Sequence, residues 1–125
     1  MSSTILVAED DPSILISIEF LLRNAGYQVL TADDGVRAWH AFETQQPALV
    51  VLDIMLPTLD GLALCRRIRE SRRQQPKVLM LSARGLEADI EKGLQQGADA
   101  YLRKPFGTHE FLQTVARLLT PLHSQ

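Results

Sequence analysis

Short apolar runs rich in β-branched residues alternate with longer stretches of helical spacing along the chain, five times in all. Runs of this length fit strands and are much too short to span a membrane. Strands that alternate with helices form a parallel sheet that is covered by helices on both faces. A chain of 125 residues with 46% hydrophobic content can bury one such core without disulfides. The sequence therefore predicts a single doubly wound α/β domain.

Local signals indicate where these elements begin and end. The predicted strands cover residues 4–8, 28–32, 48–53, 78–81 and 100–102. Asp11 followed by Pro12 is typical of a helix start, and Asp60 is expected to cap the third helix. Helical spacing predicts an inward stripe on the fourth helix, formed by Leu86, Ile90, Leu94 and Ala98.

Carboxylates follow two of the predicted strands. Asp53 ends the third strand, and Glu9 and Asp10 follow the first. Ligands of open parallel sheets collect outside the carboxyl ends of the strands, so these side chains should lie close together. Two unit charges about 5 Å apart repel by roughly 3 kcal/mol at an effective dielectric near 20. The pattern therefore predicts a divalent cation between the three carboxylates.

Two further polar side chains follow the remaining strands. Ser82 ends the fourth strand and Lys104 follows the fifth, so both belong to the same sheet edge. An aspartate carboxylate can attack phosphorus, and the transferred oxygens then need a metal, a hydrogen-bond donor and a cation. This set of residues indicates phosphoryl transfer with Asp53 as the nucleophile.

Five ordered blocks of the sequence resemble the response regulator receiver domain of two-component signalling, over about residues 5 to 119. The blocks are Glu9-Asp10, Asp53 with Met55-Leu56-Pro57 and Asp60-Gly61, Ser82-Ala83, Gly97-Ala98-Asp99-Ala100-Tyr101, and Lys104-Pro105-Phe106. The resemblance implies a flavodoxin-like (βα)5 three-layer sandwich with a five-stranded parallel sheet of order 2-1-3-4-5. We expect a single receiver domain over residues 1–125, with its core at about 4–120 and no output domain, either as a free-standing receiver or as a piece of a longer regulator.

The resemblance also implies how the pocket works. Asp53 would accept a phosphoryl group from a sensor histidine kinase, a phosphotransfer protein or a small acyl phosphate. Asp10, Asp53 and the backbone carbonyl of Met55 would bind Mg²⁺, and Glu9 would act through a bound water. Mn²⁺ could substitute for Mg²⁺. The domain would catalyse only its own phosphorylation and dephosphorylation.

The same resemblance implies a switch. Lys104 would pair with Asp53 and then with a phosphoryl oxygen, and the Lys104-Pro105 peptide bond would be cis. Ser82 would bond the phosphoryl group and Tyr101 would rotate inward, which changes the surface of the fourth helix, fifth strand and fifth helix. We expect a homodimer through that surface on phosphorylation. However, Ala100 and Thr114 stand near the places where the family's DNA-binding branch carries an acidic residue and an arginine.

Charge and composition exclude other roles. A net charge of -2 argues against direct nucleic-acid binding. The start of the chain has no basic segment of a secretion signal, so we expect a cytoplasmic protein without membrane contact. Cys65 is expected to be a small buried residue. One basic run is expected to be an exposed polar helix face, formed by Arg66, Arg67, Arg69, Arg72 and Arg73.

Three other functions compete with the switch. A receiver fold that only docks a partner and is never phosphorylated stays open. A magnesium-dependent phosphatase of the haloacid dehalogenase type needs a second aspartate where Met55 stands. A flavin or nucleotide binder would place a glycine-rich loop where Glu9 and Asp10 would repel phosphate.

Overall fold

The computed structural model describes residues 3–83 and 87–120, and the side chains of residues 87 and 89 are left out of the description. The strands are β1 (Thr4–Ala8), β2 (Gln28–Ala32), β3 (Leu49–Asp53), β4 (Lys77–Ser82) and β5 (Ala100–Arg103). The helices are α1 (Pro12–Asn24), α2 (Gly35–Gln45), α3 (Gly61–Glu70), α4 (Glu87–Gln95) and α5 (Thr108–Leu119). The predicted strands are confirmed, with differences of one residue at the ends of β3, β4 and β5. Within the described ranges, the helices lack the length and hydrophobicity that crossing a membrane requires.

All five strands are parallel and lie in the order β2-β1-β3-β4-β5, which confirms the predicted fold class. The chain winds in opposite directions from β1 and from β3, so the two central strands form a topological switch point. A crevice opens there, outside the carboxyl ends of the strands. Ala8 of β1 pairs with Leu52 of β3. The residues that follow them in the chain, Glu9 and Asp53, therefore lie side by side at this crevice.

The sheet separates two apolar layers, and each strand supplies both. In β1, Leu6 and Ala8 belong to the layer that contains the buried residues of α2 and α3. Ile5 and Val7 belong to the opposite layer, which contains the buried residues of α1 and α5. Successive side chains of a strand point to opposite faces, so a strand that is covered on both faces must be apolar throughout.

Aspartates begin three of the helices at the carboxyl edge of the sheet. Asp11 Oδ1 accepts a hydrogen bond from the amide of Ser13 at 2.9 Å, and Pro12 is the first residue of α1. Asp60 Oδ1 likewise accepts from the amide of Ala63 at 2.9 Å at the start of α3. The two predicted caps are confirmed. A third cap, Asp34, begins α2. These caps satisfy amide groups that the first helical turn leaves without partners.

The predicted inward stripe of the fourth helix is wrong at Leu94, which is 50% exposed. The buried contact of α4 is instead made by Gly93, where an added Cβ would stand 3.2 Å from Met80 Sδ. The next residue along a helix points about 100° away, so close packing at Gly93 turns Leu94 toward solvent. Ala98 is buried but follows the end of α4, and Leu86 lies outside the described residues.

Candidate functional site

The structure brings together the three carboxylates that the sequence singled out. Glu9, Asp10 and Asp53 each offer one oxygen, and these atoms all lie within 4.8 Å of one another. Glu9 is 0% exposed and Asp53 is 5% exposed, whereas Asp10 is exposed at the mouth of the pocket. Two carboxylates are thus removed from water at the point where the winding of the sheet reverses.

Lys104 is the cation of this pocket. Its Nζ lies 2.7 Å from Asp53 Oδ2, where it donates a hydrogen bond, and 2.7 Å from Glu9 Oε1. The approach to Glu9 Oε1 is close enough for an ion pair but lacks hydrogen-bond alignment, and no other described residue gives this buried oxygen a hydrogen bond. The backbone amide of Lys104 donates to the carbonyl of Ser82 at 2.8 Å, and the Lys104-Pro105 peptide bond is cis.

Burial and pairing act in opposite directions on the ionisable groups. Burial raises the pKa of the Glu9 carboxyl, although the nearby ammonium of Lys104 and the hydrogen bond from the Asp11 amide oppose this effect. Burial alone would lower the pKa of Lys104, but the hydrogen bond to Asp53 and the ion pair with Glu9 outweigh it and the pKa is raised. The hydrogen bond to Asp53 raises the pKa of Lys104 more than the contact with Glu9 does, so Asp53 is the main partner of Lys104.

The donor set fits a hard divalent cation. Among the described residues, three carboxyl groups and one ammonium give the pocket a formal charge of -2 with every group counted as ionised. Glu9 Oε1 is a buried oxygen without a hydrogen bond from the described residues, and carboxylate oxygens are ligands that Mg²⁺ prefers.

The backbone around Asp53 is tightly constrained. Asp53 Oδ1 accepts a hydrogen bond from the amide of Met55 at 3.0 Å, so both carboxylate oxygens have a donor. Gly61 begins α3 directly against this residue, and an added Cβ would stand 2.2 Å from the Asp53 carbonyl oxygen. The amide of Gly61 donates to the carbonyl of Ile54 at 2.8 Å. Glycine is required at position 61 because the chain before α3 approaches so closely.

Ser82 lies on the strand next to that of Asp53, and Tyr101 lies on the strand beyond it. Asp53 pairs with Leu81, so Ser82 is one residue closer to the edge, and it is 1% exposed. Tyr101 pairs with Met80 on the next strand and packs, half-buried, against the layer of α2 and α3. Its hydroxyl is buried and has no hydrogen-bond partner among the described residues.

Arg69 has a structural role that the sequence did not predict. The sequence predicts an exposed helix face for the whole basic run, and Arg69 departs from it. Its side chain is 23% exposed. Its guanidinium donates to the carbonyls of Gly97 at 2.9 Å and Pro76 at 2.7 Å and to Asp99 Oδ2 at 2.7 Å. One sequence signal could have predicted this. Arg69 follows Cys65 by four residues, and residues four apart lie on the same face of a helix, so Arg69 borders the buried face of α3. The other arginines of the run are exposed as expected: Arg66, Arg67, Arg72 and Arg73.

Fold and pocket together define a flavodoxin-like α/β domain with an acidic site at the switch point of its sheet. A sequence model of this kind of domain, described as the response regulator receiver domain, matches residues 5–116. The chain belongs to the response regulator receiver domain family. The resemblance seen in the sequence is therefore confirmed.

Relatives of known sequence and structure agree with this assignment. The chain is 42% identical over 119 residues to the alkaline phosphatase synthesis transcriptional regulatory protein PhoP of Bacillus subtilis, covering 95% of this chain and 49% of that protein. A putative response regulator from Chloroflexus aurantiacus has a similar structure, with a TM-score of 0.91 and 33% identity over 95% of this chain and 98% of the other. The receiver domain of the sensor histidine kinase PA1611 from Pseudomonas aeruginosa is also similar, with a TM-score of 0.88 and 34% identity over 95% of this chain and 98% of the other. That domain is described with a magnesium ion coordinated in its active site cleft. The chain spans about half the length of the curated relatives it matches.

Proposed function

We propose that this domain is a phosphorylation-controlled signalling switch of a two-component system. Asp53 accepts a phosphoryl group from a sensor histidine kinase or a phosphotransfer protein, in the cytoplasm and without direct contact of this domain with nucleic acid. One observation carries the proposal: the carboxylate of Asp53 is buried, paired with Lys104, and surrounded by two further carboxylates. Membership of the receiver family supports a signalling role rather than that of a conventional enzyme.

The residues around Asp53 suit it to be the nucleophile. One carboxylate oxygen attacks the phosphorus, and the bond to the donor atom breaks with its electron pair remaining on the donor. The amide of Met55 and the ammonium of Lys104 hold the two carboxylate oxygens beforehand, at 3.0 Å and 2.7 Å. After transfer, Lys104 balances charge on one phosphoryl oxygen and the hydroxyl of Ser82 donates to another.

Asp10, Asp53 and the backbone carbonyl of Met55 are the proposed Mg²⁺ ligands, with Glu9 acting through a water, and Mn²⁺ could substitute. A bound Mg²⁺ neutralises the charge that develops on the phosphoryl oxygens. The fit rests on the oxygen donors and the negative charge of the pocket. The magnesium described in the PA1611 receiver domain supports the same assignment.

The proposed output is a change of the surface formed by α4, β5 and α5. Moving a two-state equilibrium from 1:99 to 99:1 requires about 5.5 kcal/mol. A charge-assisted hydrogen bond from Ser82 contributes roughly 1.5 to 3 kcal/mol, and Lys104 and backbone donors add to it. Tyr101 is a suitable moving element because it is half-buried on β5 and its hydroxyl forms no hydrogen bond with the described residues.

A homodimer on phosphorylation is part of this proposal, but it would not use a charge at position 114. Thr114 is 9% exposed and its hydroxyl donates to the carbonyl of Glu110 at 2.8 Å. Other exposed groups of the α4-β5-α5 surface would have to make the contact. Sedimentation with and without beryllofluoride measures this directly, and an unchanged monomer would remove the dimer from the proposal.

The phosphoacceptor role is tested with acetyl phosphate and Mg²⁺ followed by intact-mass measurement. We expect an adduct of about 80 Da that is lost in Asp53→Asn and without Mg²⁺. Asp60→Asn is a matched control, because Asp60 caps α3 outside the pocket and asparagine can replace it as a cap. An adduct that survives Asp53→Asn would contradict the proposed acceptor.

The other readings predict different results in the same assay. A receiver that only docks a partner would stay unmodified with every donor. A phosphatase would release phosphate continuously from small esters. The apolar side chain of Met55 is 57% exposed two residues after Asp53, where such a hydrolase needs a carboxylate, and this observation argues against turnover.

A further inference from the structure

Thr58 has an unusual backbone conformation in the loop that follows Asp53. Its φ is +67°, in the left-handed region, which β-branched residues rarely adopt because the side chain crowds the backbone. The loop joins β3 to α3 and also contains Met55. A residue that is strained in isolation persists only where other contacts hold it in place.

The contacts that hold Thr58 come from the first turn of α2. Thr58 Oγ1 accepts a hydrogen bond from the amide of Val36 at 3.1 Å and donates to Asp34 Oδ1 at 3.2 Å. The hydroxyl therefore satisfies an amide at the start of α2 that the helix itself leaves open. The amide of Gly35 donates to the carbonyl of Pro57 at 3.0 Å beside it.

The approach between this loop and α2 is close. An added Cβ at Gly35 would stand 1.7 Å from the carbonyl oxygen of Leu59. At its other end the loop is tied to the pocket, because the amide of Met55 donates to Asp53 Oδ1. Two residues, Leu56 and Pro57, separate Met55 from Thr58, so a displacement at Thr58 is transmitted along a short, constrained segment.

We propose that Thr58 is a positioning residue for the phosphoacceptor pocket: its hydroxyl holds the loop of residues 54–60 against the first turn of α2 and thereby keeps the main chain of Met55 in place for the cation. This inference rests on the proposed function, since it concerns the same Mg²⁺ site. Groups that orient metal ligands without touching the metal typically change metal affinity about 10- to 100-fold when they are replaced.

Three substitutions at Thr58 separate the hydroxyl from the backbone conformation. Thr58→Ser keeps the hydroxyl and should bind Mg²⁺ within about two-fold of the wild type. Thr58→Val keeps the branched shape but removes both hydrogen bonds, and its Mg²⁺ dissociation constant should rise about 10-fold. Thr58→Gly removes the hydroxyl at a position where glycine tolerates the conformation, and we expect a smaller loss of about three-fold.

The measurement is Mg²⁺ titration by calorimetry, together with hydrogen exchange of the Val36 amide. That amide should exchange faster in Thr58→Val and Thr58→Gly but not in Thr58→Ser. Ile18→Val is the control for a general loss of stability. Ile18 is buried in the layer of α1 and α5, so this substitution should lower stability and leave Mg²⁺ binding unchanged. If Thr58→Val fails to fold, Thr58→Gly decides.

Failure of this inference differs from failure of the proposed function. Wild-type chain that neither binds Mg²⁺ nor accepts a phosphoryl group overturns both. Wild-type chain that does both, while Thr58→Val and Thr58→Gly bind Mg²⁺ within two-fold of it, overturns only the role of Thr58. An equal loss of Mg²⁺ affinity in Ile18→Val would also overturn the role of Thr58. The loss would then follow from lower stability and not from a displaced loop.

Discussion

Replacing Arg69 by methionine should destabilise the fold far more than its position in an arginine-rich segment suggests. The change removes hydrogen bonds to the carbonyls of Gly97 and Pro76 and to Asp99. Buried hydrogen bonds with a charged partner contribute about 1.5 to 3 kcal/mol each, and partners left unsatisfied add a penalty. Because the side chain is 23% exposed, we expect a total loss of about 3 kcal/mol in the free energy of unfolding rather than the full sum.

Urea denaturation followed by circular dichroism measures this loss. With a denaturant slope of about 2 kcal/mol/M, the midpoint should fall by about 1.5 M. Arg66→Met is the matched control, since Arg66 is 67% exposed and its ion pair within the described part of the chain is with Glu70 one turn away, so its loss should stay below about 0.5 kcal/mol. Arg69→Lys should recover part of the loss, because an ammonium can reach Asp99 but cannot form the guanidinium fork. Equal midpoints for Arg69→Met and Arg66→Met would refute the reasoning.

Three other predictions follow from single contacts. Gly61→Ala forces a methyl group against the Asp53 carbonyl oxygen, which should cost about 1 to 3 kcal/mol in urea denaturation and slow phosphoryl acceptance; wild-type behaviour in both assays would contradict the close contact. Burial raises the pKa of the Cys65 thiol to about 11 from 9.0, so the stability it contributes is complete below pH 9 and is lost between pH 9 and 11. Relative to Cys65→Ala, the wild type should therefore lose about 1.4 kcal/mol between pH 8 and pH 10, and a pH-independent difference would be inconsistent with burial of the thiol. Lys104→Met leaves Glu9 and Asp53 without their ammonium partner, so the free energy of unfolding in EDTA should fall by about 3 kcal/mol. Mg²⁺ should then stabilise this variant more than it stabilises the wild type. An unchanged urea midpoint in EDTA would show that the pairing is weak.

The sequence by itself determined the type of fold and the composition of the pocket. Apolar runs that are buried on both faces and separated by helical stretches leave a parallel sheet as the consistent solution. Glu9 and Asp53 each follow the last residue of such a run, and the carboxyl ends of parallel strands meet at one edge. Both signals are local, so they can be read without knowing how distant segments pack. The roles of Tyr101 and the Met55 carbonyl came from the family resemblance, and the functional roles of all the site residues stay predictions.

Only the tertiary structure decided the contacts between groups that are distant in the chain. Arg69 bonds residues 28 and 30 positions away, and Thr58 Oγ1 bonds Asp34, 24 positions away. The exposure of Leu94 likewise depends on how α4 is rotated about its axis against Met80. Helical spacing defines a stripe of residues but not which side of it faces the sheet, because that rotation is set by the side chains that the sheet presents.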